Sequence, residues 1–234
     1  MNEIIRKRKS IRKYDLTPLD ESSVKSVQEQ IGKLIPLYPD INYSIEIIEK
    51  TKGLFNIKAP HYLVLNSEDK EGSYENIGFI GQQMDLFLSG SGLGSCWLGA
   101  SKPEENDTSD IPCVLCMSFG KPAEPLYRLL SEFKRKPLDK ISEGADERLE
   151  AARLAPSGMN SQNWYFAAKD GKIHCYKKKT LLGLMDKLSS IDIGIAIYHI
   201  AGESSGFSFS KDTGAPACKG FIYVGTVGSG VSQI

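Results

Sequence analysis

Ala155-Pro-Ser-Gly-Met-Asn-Ser-Gln-Asn-Trp164 is the stretch around which the rest of the chain is organised. It follows a run, Asp146 to Leu154, in which Leu149, Ala152 and Arg153 recur at helical spacing. It leads into the apolar, aromatic run Trp164 to Ala168. Pro156 stops the helix, because the residue before a proline is pushed out of the helical region. Ser157, Asn160 and Gln162 then place one hydroxyl and two carboxamides in a single short turn. Serine, asparagine and glycine are ordinary turn formers, so a plain helix-to-strand connection accounts for the composition. Loops are also where binding groups concentrate, and on these residues alone both readings stay open.

The pattern Ala-Pro-Ser-x-x-Asn-x-Gln-x-Trp after an alanine-bearing helix resembles the flavin-contacting loop of the nitroreductase family, the FMN-dependent NAD(P)H oxidoreductases. The resemblance implies that Pro156, Ser157, Gly158, Asn160 and Gln162 lie along an isoalloxazine ring. The chemistry agrees. The pyrimidine edge of that ring carries carbonyls and an N–H that amides and hydroxyls match, while its faces are apolar.

The whole chain sets the bounds. Its 234 residues are 41% hydrophobic and 25% charged, enough for one large domain or two small ones. Basic and acidic residues balance at 29 each, so bulk charge recruits neither nucleic acid nor an anionic membrane. No apolar run approaches the roughly 18 residues that span a bilayer. The first residues are charged from Glu3 to Lys13 without an apolar segment, which argues against a secretory signal. Five scattered cysteines are cytosolic usage, so a cytoplasmic location is expected. Cys113 and Cys116 fall inside an expected strand, Ile111 to Phe119, where they should point to opposite faces as core thiols. His61, His174 and His199 show no ligand spacing, and no metal site is expected.

Arg6-Lys-Arg-Lys-Ser-Ile-Arg-Lys13 places six basic residues in eight. A solvated charged face, a nucleic-acid arm and a phosphate clamp compete for it. The arm lacks aromatics and a wider basic surface. Arg8-x-Ser10-x-Arg12 before Tyr14 resembles the nitroreductase N-terminal signature, which implies a clamp built from Arg8, Lys9, Ser10 and Arg12. Guanidinium groups grip a phosphate dianion through bidentate, charge-assisted bonds.

Ser22 and Ser23 are expected to cap a helix running to about Leu34. Strands are expected at Tyr43 to Glu49 and His61 to Asn66, and a helix from Tyr74 to Ser91 with Ile77, Ile80, Met84 and Leu88 facing inward. The glycine-rich Gly90-Ser-Gly-Leu-Gly-Ser-Cys-Trp-Leu-Gly99 leaves a helix and enters a strand, the reverse of a dinucleotide-binding loop. It resembles the nitroreductase segment whose backbone faces flavin N5, which implies roles for Trp97, Leu98 and Gly99; a glycine-rich helix cap is the alternative. Glu104 to Asp110 is an expected exposed acidic loop. Lys134-Arg-Lys136 resembles the basic patch that closes over the phosphate from the other end, implicating Lys134 and Arg135.

The second half repeats the plan. Ile193 to Ala201 lines up with Ile80 to Leu88 at an offset of 113, and Gly220 to Gly228 with Pro112 to Gly120 at 108. The first half holds the basic clamp and Trp-x-Gly but no Pro-Ser-x-x-Asn-x-Gln loop, and the second holds only that loop. The expectation is therefore an α+β nitroreductase-like fold of two pseudo-symmetric halves, 1–142 and 143–234, with mixed sheets packed by helices. This pseudo-dimer would be functional as a monomer with one FMN, residues 35–58 remaining unaccounted for. The resemblance implies hydride transfer from NAD(P)H to flavin N5, then reduction of a flat acceptor such as a quinone or nitroaromatic, in ping-pong fashion without a side-chain catalyst. A non-catalytic FMN carrier is the competing expectation.

Overall fold

The computed structural model describes residues 2–54, 57–104, 110–180, 183–204 and 206–228. The chain opens with a short helix, α1 (Asn2–Ile5), an extended arm, and α2 (Glu21–Ile31). Asp20, not Ser22 or Ser23, caps α2: its carboxylate accepts the Ser23 N–H at 2.8 Å and both serine hydroxyls. A carboxylate serves better there because the helix N-terminus favours negative charge. The helix ends at Ile31, short of Leu34.

Next come β1 (Tyr43–Ile48), β2 (Thr51–Gly53), β3 (His61–Ser67), α3 (Ser73–Gly90), β4 (Gly94–Leu98), β5 (Ser101–Pro103) and β6 (Cys113–Gly120). Strands pair antiparallel in the order β1-β3-β6-β4, and β2 and β5 form a separate ribbon. The later residues add β7 (Ser142–Glu143), α4 (Leu149–Leu154), β8 (Trp164–Lys169), β9 (Lys172–Lys178), α5 (Gly183–Gly202), β10 (Phe209–Ser210) and β11 (Phe221–Val227). The sheet order is β10-β11-β9-β8-β7, with only β7 parallel to its neighbour. The class is α+β with antiparallel and mixed sheets packed by helices, as expected. Helix α4 begins at Leu149 rather than Asp146, because Asp146 turns back to bind the Arg148 guanidinium and N–H. Most of the acidic loop expected at 104–110 lies outside the described residues.

Without β7, the two sheets share one strand order: β1, β3, β6, β4 against β8, β9, β11, β10. Between them α3 and α5 cross at two glycines. A Cβ on Gly78 would lie 2.1 Å from the Ile191 carbonyl oxygen, and one on Gly194 would lie 2.0 Å from that of Glu75. The contact is reciprocal, each glycine receiving a backbone carbonyl of the opposing helix. Gly78 and Gly194, like Glu75 and Ile191, are 116 residues apart. At the crossing it is Gly78, 116 residues before Gly194, that lies against the opposing helix backbone, whereas Gly81 faces Trp97 and Leu65.

The expectation that Cys113 and Cys116 face opposite ways fails. Register between β3 and β6 breaks between Leu65/Leu115 and Asn66/Cys113, a bulge that inserts one residue and shifts the side-chain alternation. Cys113 consequently packs on the same cluster as Cys116, with Tyr62, Val64 and Leu98. None of the five cysteines is disulfide-bonded.

Candidate functional site

The N-terminal arm is pinned on both sides. Ile11 is fully buried, its N–H donates to the Ser95 carbonyl at 2.9 Å, and it sits under Gly94, where a Cβ would meet it at 2.7 Å. The Tyr14 hydroxyl donates to the Ile11 carbonyl at 2.8 Å, so this aromatic anchors the arm. Along the other edge the arm pairs with residues 121–128 through Asp15 N–H to Lys121 O, Ala123 N–H to Lys13 O and Arg128 N–H to Lys7 O. Glu124 accepts the Arg12 and Lys13 N–H groups at 2.7 and 3.2 Å.

Arg8 lies beneath this arm, fully buried, with Nε 3.0 Å from Asp85 of α3. Ser95 Oγ and Gln82 Nε2 also donate to Asp85, at 2.5 and 2.8 Å. Gln82 Nε2 reaches His199 Nε2 at 3.1 Å, and His199 Nδ1 meets the Ala151 carbonyl at 2.9 Å. A carbonyl only accepts, so Nδ1 carries the hydrogen and the ring is neutral, and burial pushes His199 down to about 3. This chain of bonds ties the arm to both central helices. Neither Arg8 Nε nor Nη1 has a hydrogen-bond partner among the described residues; Nε faces Asp85 as an ion pair, and Nη1 is left over.

Above Arg8 opens a cleft of about 490 Å³ whose wall carries Lys9, Ser10, Arg12, Arg128, Lys134, Arg135, Pro156, Ser157 and Asn160. Glu124 and Glu132 line it too, but Glu132 is turned to the Leu129 N–H at 2.6 Å. Cations are in excess, and they feel one another. Burial, then the Arg8 charge, pulls Arg128 down to about 10; burial, then the charges of Arg128 and Arg8, does the same to Arg135. Arg135 Nε and Arg8 Nη1 are buried donors without partners. A phosphate dianion answers each of these features: it accepts the spare bonds and offsets the repulsion. Arg128, missed in the sequence because it stands in no motif, stacks 4.2 Å over the Phe133 ring and donates to the Arg8 carbonyl at 3.0 Å.

The Pro-Ser-Gly-Met-Asn loop forms one side of the cleft. Met159, Asn160 and Gln162 all have positive φ (53°, 56° and 47°), a conformation that costs non-glycine residues on the order of 1–3 kcal/mol each. Neighbouring bonds hold it. Gln162 N–H donates to Ser157 Oγ at 3.0 Å, Gln162 Nε2 to Asn160 O at 2.9 Å, and the Lys136 N–H to Gln162 Oε1 at 2.6 Å. Asn160 Nδ2 donates to Lys134 O at 2.8 Å and its Oδ1 accepts from Arg135 Nη1. The structure thus places Asn160 on the cleft wall but Gln162 behind it, 4% exposed and absorbed in supporting the turn. Met159, 92% exposed, overhangs the opening.

A narrower recess of about 140 Å³ continues inward, sharing Ser10, Arg12, Pro156, Ser157 and Met159 with the outer cleft. Trp97, Gly99, Gly158, Leu188, Ile191 and Ile195 give it largely apolar walls. Leu98 points the other way, into the cluster with Tyr62 and Cys116, so only its backbone is near the recess. The one carboxyl on this wall is Asp192, 3% exposed, whose Oδ1 accepts the Gly158 N–H at 2.8 Å. A lone acid in Ser189-Ser-Ile-Asp-Ile-Gly-Ile was its sequence signal. Burial pushes Asp192 up to about 7, against weaker opposing bonds from Gly158 and Ser161. A carboxyl with a folded pKa above its unfolded value near 4 lowers stability as pH rises between the two. Asp192→Asn is therefore expected to be more stable than the parent at pH 8, by up to about 4 kcal/mol, and equal to it near pH 4. Urea denaturation at both pH values checks this; a difference independent of pH contradicts it.

A second cleft, about 790 Å³, lies where Tyr38, Gly72, Tyr74, Lys177 and Tyr223 meet. Its lysines are engaged: Lys177 with Glu75, Asp186 and Ser190, Lys187 over the Tyr74 ring, Lys211 over the Tyr223 ring. Among the described residues, no group of acidic, cysteine or histidine side chains is arranged to hold a metal ion and no helix is long and apolar enough to cross a membrane.

The family model described as "Putative TM nitroreductase" matches residues 1–204. Among solved structures, a "putative nitroreductase" from Thermotoga maritima superposes with a TM-score of 0.69 at 19% identity, covering 97% of this chain and 92% of its own. A nitroreductase family protein from Clostridium difficile 630 superposes with a TM-score of 0.50 at 16% identity, covering 60% of this chain and 95% of its own. Among curated proteins none matches the sequence.

Proposed function

Because the chain belongs to the nitroreductase family, we propose that it is an FMN-dependent oxidoreductase that takes hydride from NAD(P)H and reduces a flat two-electron acceptor, a quinone or a nitroaromatic. One observation carries the reading. The basic arm and the Pro-Ser-Gly-Met-Asn loop, more than 140 residues apart in sequence, line a single cleft with unused cationic donors at one end and apolar walls at the other. That is the polarity of a flavin mononucleotide.

In this proposal Arg8, Lys9, Ser10, Arg12, Lys134 and Arg135, with Arg128, hold the phosphate. Trp97, the Leu98–Gly99 backbone, Pro156, Ser157 and Gly158 border the ring. Asn160 joins the two ends, and Gln162 keeps the turn in shape. Bound flavin supplies hydride acceptance and donation. The chain's own contribution is orientation: apolar walls exclude water, and the fixed charges at the cleft mouth set which end enters first.

We further propose that the molecule is two fused halves, 1–142 and 143–234, with a single flavin site. The matched strand orders and the reciprocal glycine contacts support it. The second cleft, where Lys70, Lys177, Lys187 and Lys211 share the wall with Asp69, Glu71, Glu75 and Asp186, has no surplus charge for a phosphate.

Purified chain is expected to be yellow, to bind one FMN per chain by absorbance titration, and to bleach anaerobically with NADH or NADPH. Two flavins per chain contradict the single-site proposal, and a colourless chain that refuses FMN contradicts the function. Turnover of a quinone and nitroaromatic panel separates an enzyme from a carrier that holds flavin without passing electrons on.

A further inference from the structure

Resting on the flavin reading above, we propose that Asp192 is the proton-exchanging residue of the cleft. Its carboxylate takes a proton from water when two electrons enter the bound cofactor, and gives that proton to the acceptor as the acceptor takes up hydride. The balance closes. Reduced nicotinamide loses a hydride, Asp192 gains and then loses one proton, and the acceptor gains hydride plus proton.

The position comes first. Asp192 lies on the wall of the inner recess beside Trp97, Gly158 and Ile195, and its contacts are neutral donors, the Gly158 N–H at 2.8 Å and the Ser161 hydroxyl at 3.4 Å. No salt bridge to it occurs among the described residues. A buried carboxylate held only by neutral donors is costly in its charged form.

The molecule also contains its own control. Asn76 of α3 stands 116 residues before Asp192, the offset set by the Gly78 and Gly194 crossing. It anchors a loop in the same way, since its Oδ1 accepts the Leu37 and Tyr38 N–H groups, at 2.8 and 3.1 Å, where the chain leaves α2. Asp192 accepts the Gly158 N–H where the chain leaves α4. Anchoring such a loop requires an acceptor oxygen and no more, and an amide provides it without a buried charge. A carboxyl at the equivalent place, on the cleft that the arm completes, offers a second acceptor oxygen, used by the Ser161 hydroxyl at 3.4 Å, and the ability to hold a proton, which an amide lacks.

The surroundings leave that proton to Asp192. From the arm, the recess receives Arg12; from β4, Cys96, whose thiol burial pushes up. From α3, Glu75 is engaged by Lys177 of β9. On α5 itself, His199 is neutral and turned to Ala151 and Gln82. The loop presents only neutral groups. Negative charge arriving in a recess with such apolar walls raises the affinity of Asp192 for a proton, starting from a carboxyl that burial already pushes up to about 7.

The test uses the flavin-loaded chain and its Asp192→Asn variant, for which Asn76 is the precedent that an amide fits. The midpoint potential of bound FMN is measured from pH 6 to 9. The parent is expected to take up one more proton per two electrons than the variant above about pH 7. That is an added tenfold in the reduction equilibrium per pH unit, about 30 mV for a two-electron couple. Equal slopes overturn the inference while leaving the flavin reading intact; a chain that binds no FMN overturns both. An infrared difference spectrum of the parent alone, reduced minus oxidised at pH 8, should show a protonated carboxyl band appear. Its absence overturns the inference whatever the variant does.

Discussion

Arg135→Glu is expected to weaken FMN binding by about 100-fold or more, while riboflavin, which lacks the phosphate, loses no more than about threefold. Charge-assisted hydrogen bonds contribute about 1.5–3 kcal/mol each, and reversing the charge adds repulsion of similar size at the effective dielectric of a partly buried site. The variant's fold is expected to survive. Burial first, and then the charges of Arg128 and Arg8, pull the Arg135 pKa down to about 10, so a carboxylate there removes a like-charge repulsion in the empty chain. The bond to Asn160 Oδ1 is lost, and Lys134 O still receives the Asn160 amide. Isothermal titration with the two flavins, beside a melting curve, decides the matter. Equal losses for FMN and riboflavin mean the cleft does not read a phosphate at this end.

The second large effect concerns stability. Gly194→Ala is expected to destabilise the fold by about 3–5 kcal/mol, although alanine favours a helix over glycine by about 1 kcal/mol. Steric overlap decides the sign. The new Cβ would lie 2.0 Å from the Glu75 carbonyl oxygen and 2.8 Å from its carbon, backbone atoms that no side-chain rotation can move. The helices must separate by roughly 1 Å or more along their whole crossing, loosening the contacts of Ile77, Ile80, Ile193 and Ile197 in the central cluster. For a chain of this length that is a fall in Tm of roughly 10 °C or more. Gly78→Ala should match it, since its Cβ would meet the Ile191 carbonyl at 2.1 Å. Gly92→Ala serves as the comparison. Its φ of 83° imposes some strain, but nothing lies within 4 Å of the added carbon, so its loss should stay near roughly 1 kcal/mol. Melting temperatures for Gly194→Ala and Gly92→Ala that coincide would contradict the close crossing.

The sequence by itself determined the elements whose signals are local. Hydrophobic periodicity found α3 and the strands that flank it, Pro156 stopped α4 where the proline rule says it must, and spacing within two short motifs named several of the residues that line the cleft. These follow from rules that act over a few residues, so ten or twenty positions contain the information.

What only the tertiary structure decided depends on contacts between distant segments. The bulge opposite Asn66 turns Cys113 to the face of Cys116, and it depends on β3 and β6 pairing. Arg8 is buried against Asp85 with one guanidinium nitrogen to spare, while Gln162 supports a turn instead of facing the cleft. Arg128 and Asp192 have no motif around them and acquire their surroundings solely from the arm, the loop and α5 coming together. The way α3 and α5 cross, Gly78 against Ile191 and Gly194 against Glu75, is set by two glycines lying against each other's opposing backbone. Ile-Gly occurs twice in α3, and no local rule distinguishes the copy that packs from the copy that does not. Charge, burial and steric fit are properties of pairs, and the pairs form only once the chain has closed on itself.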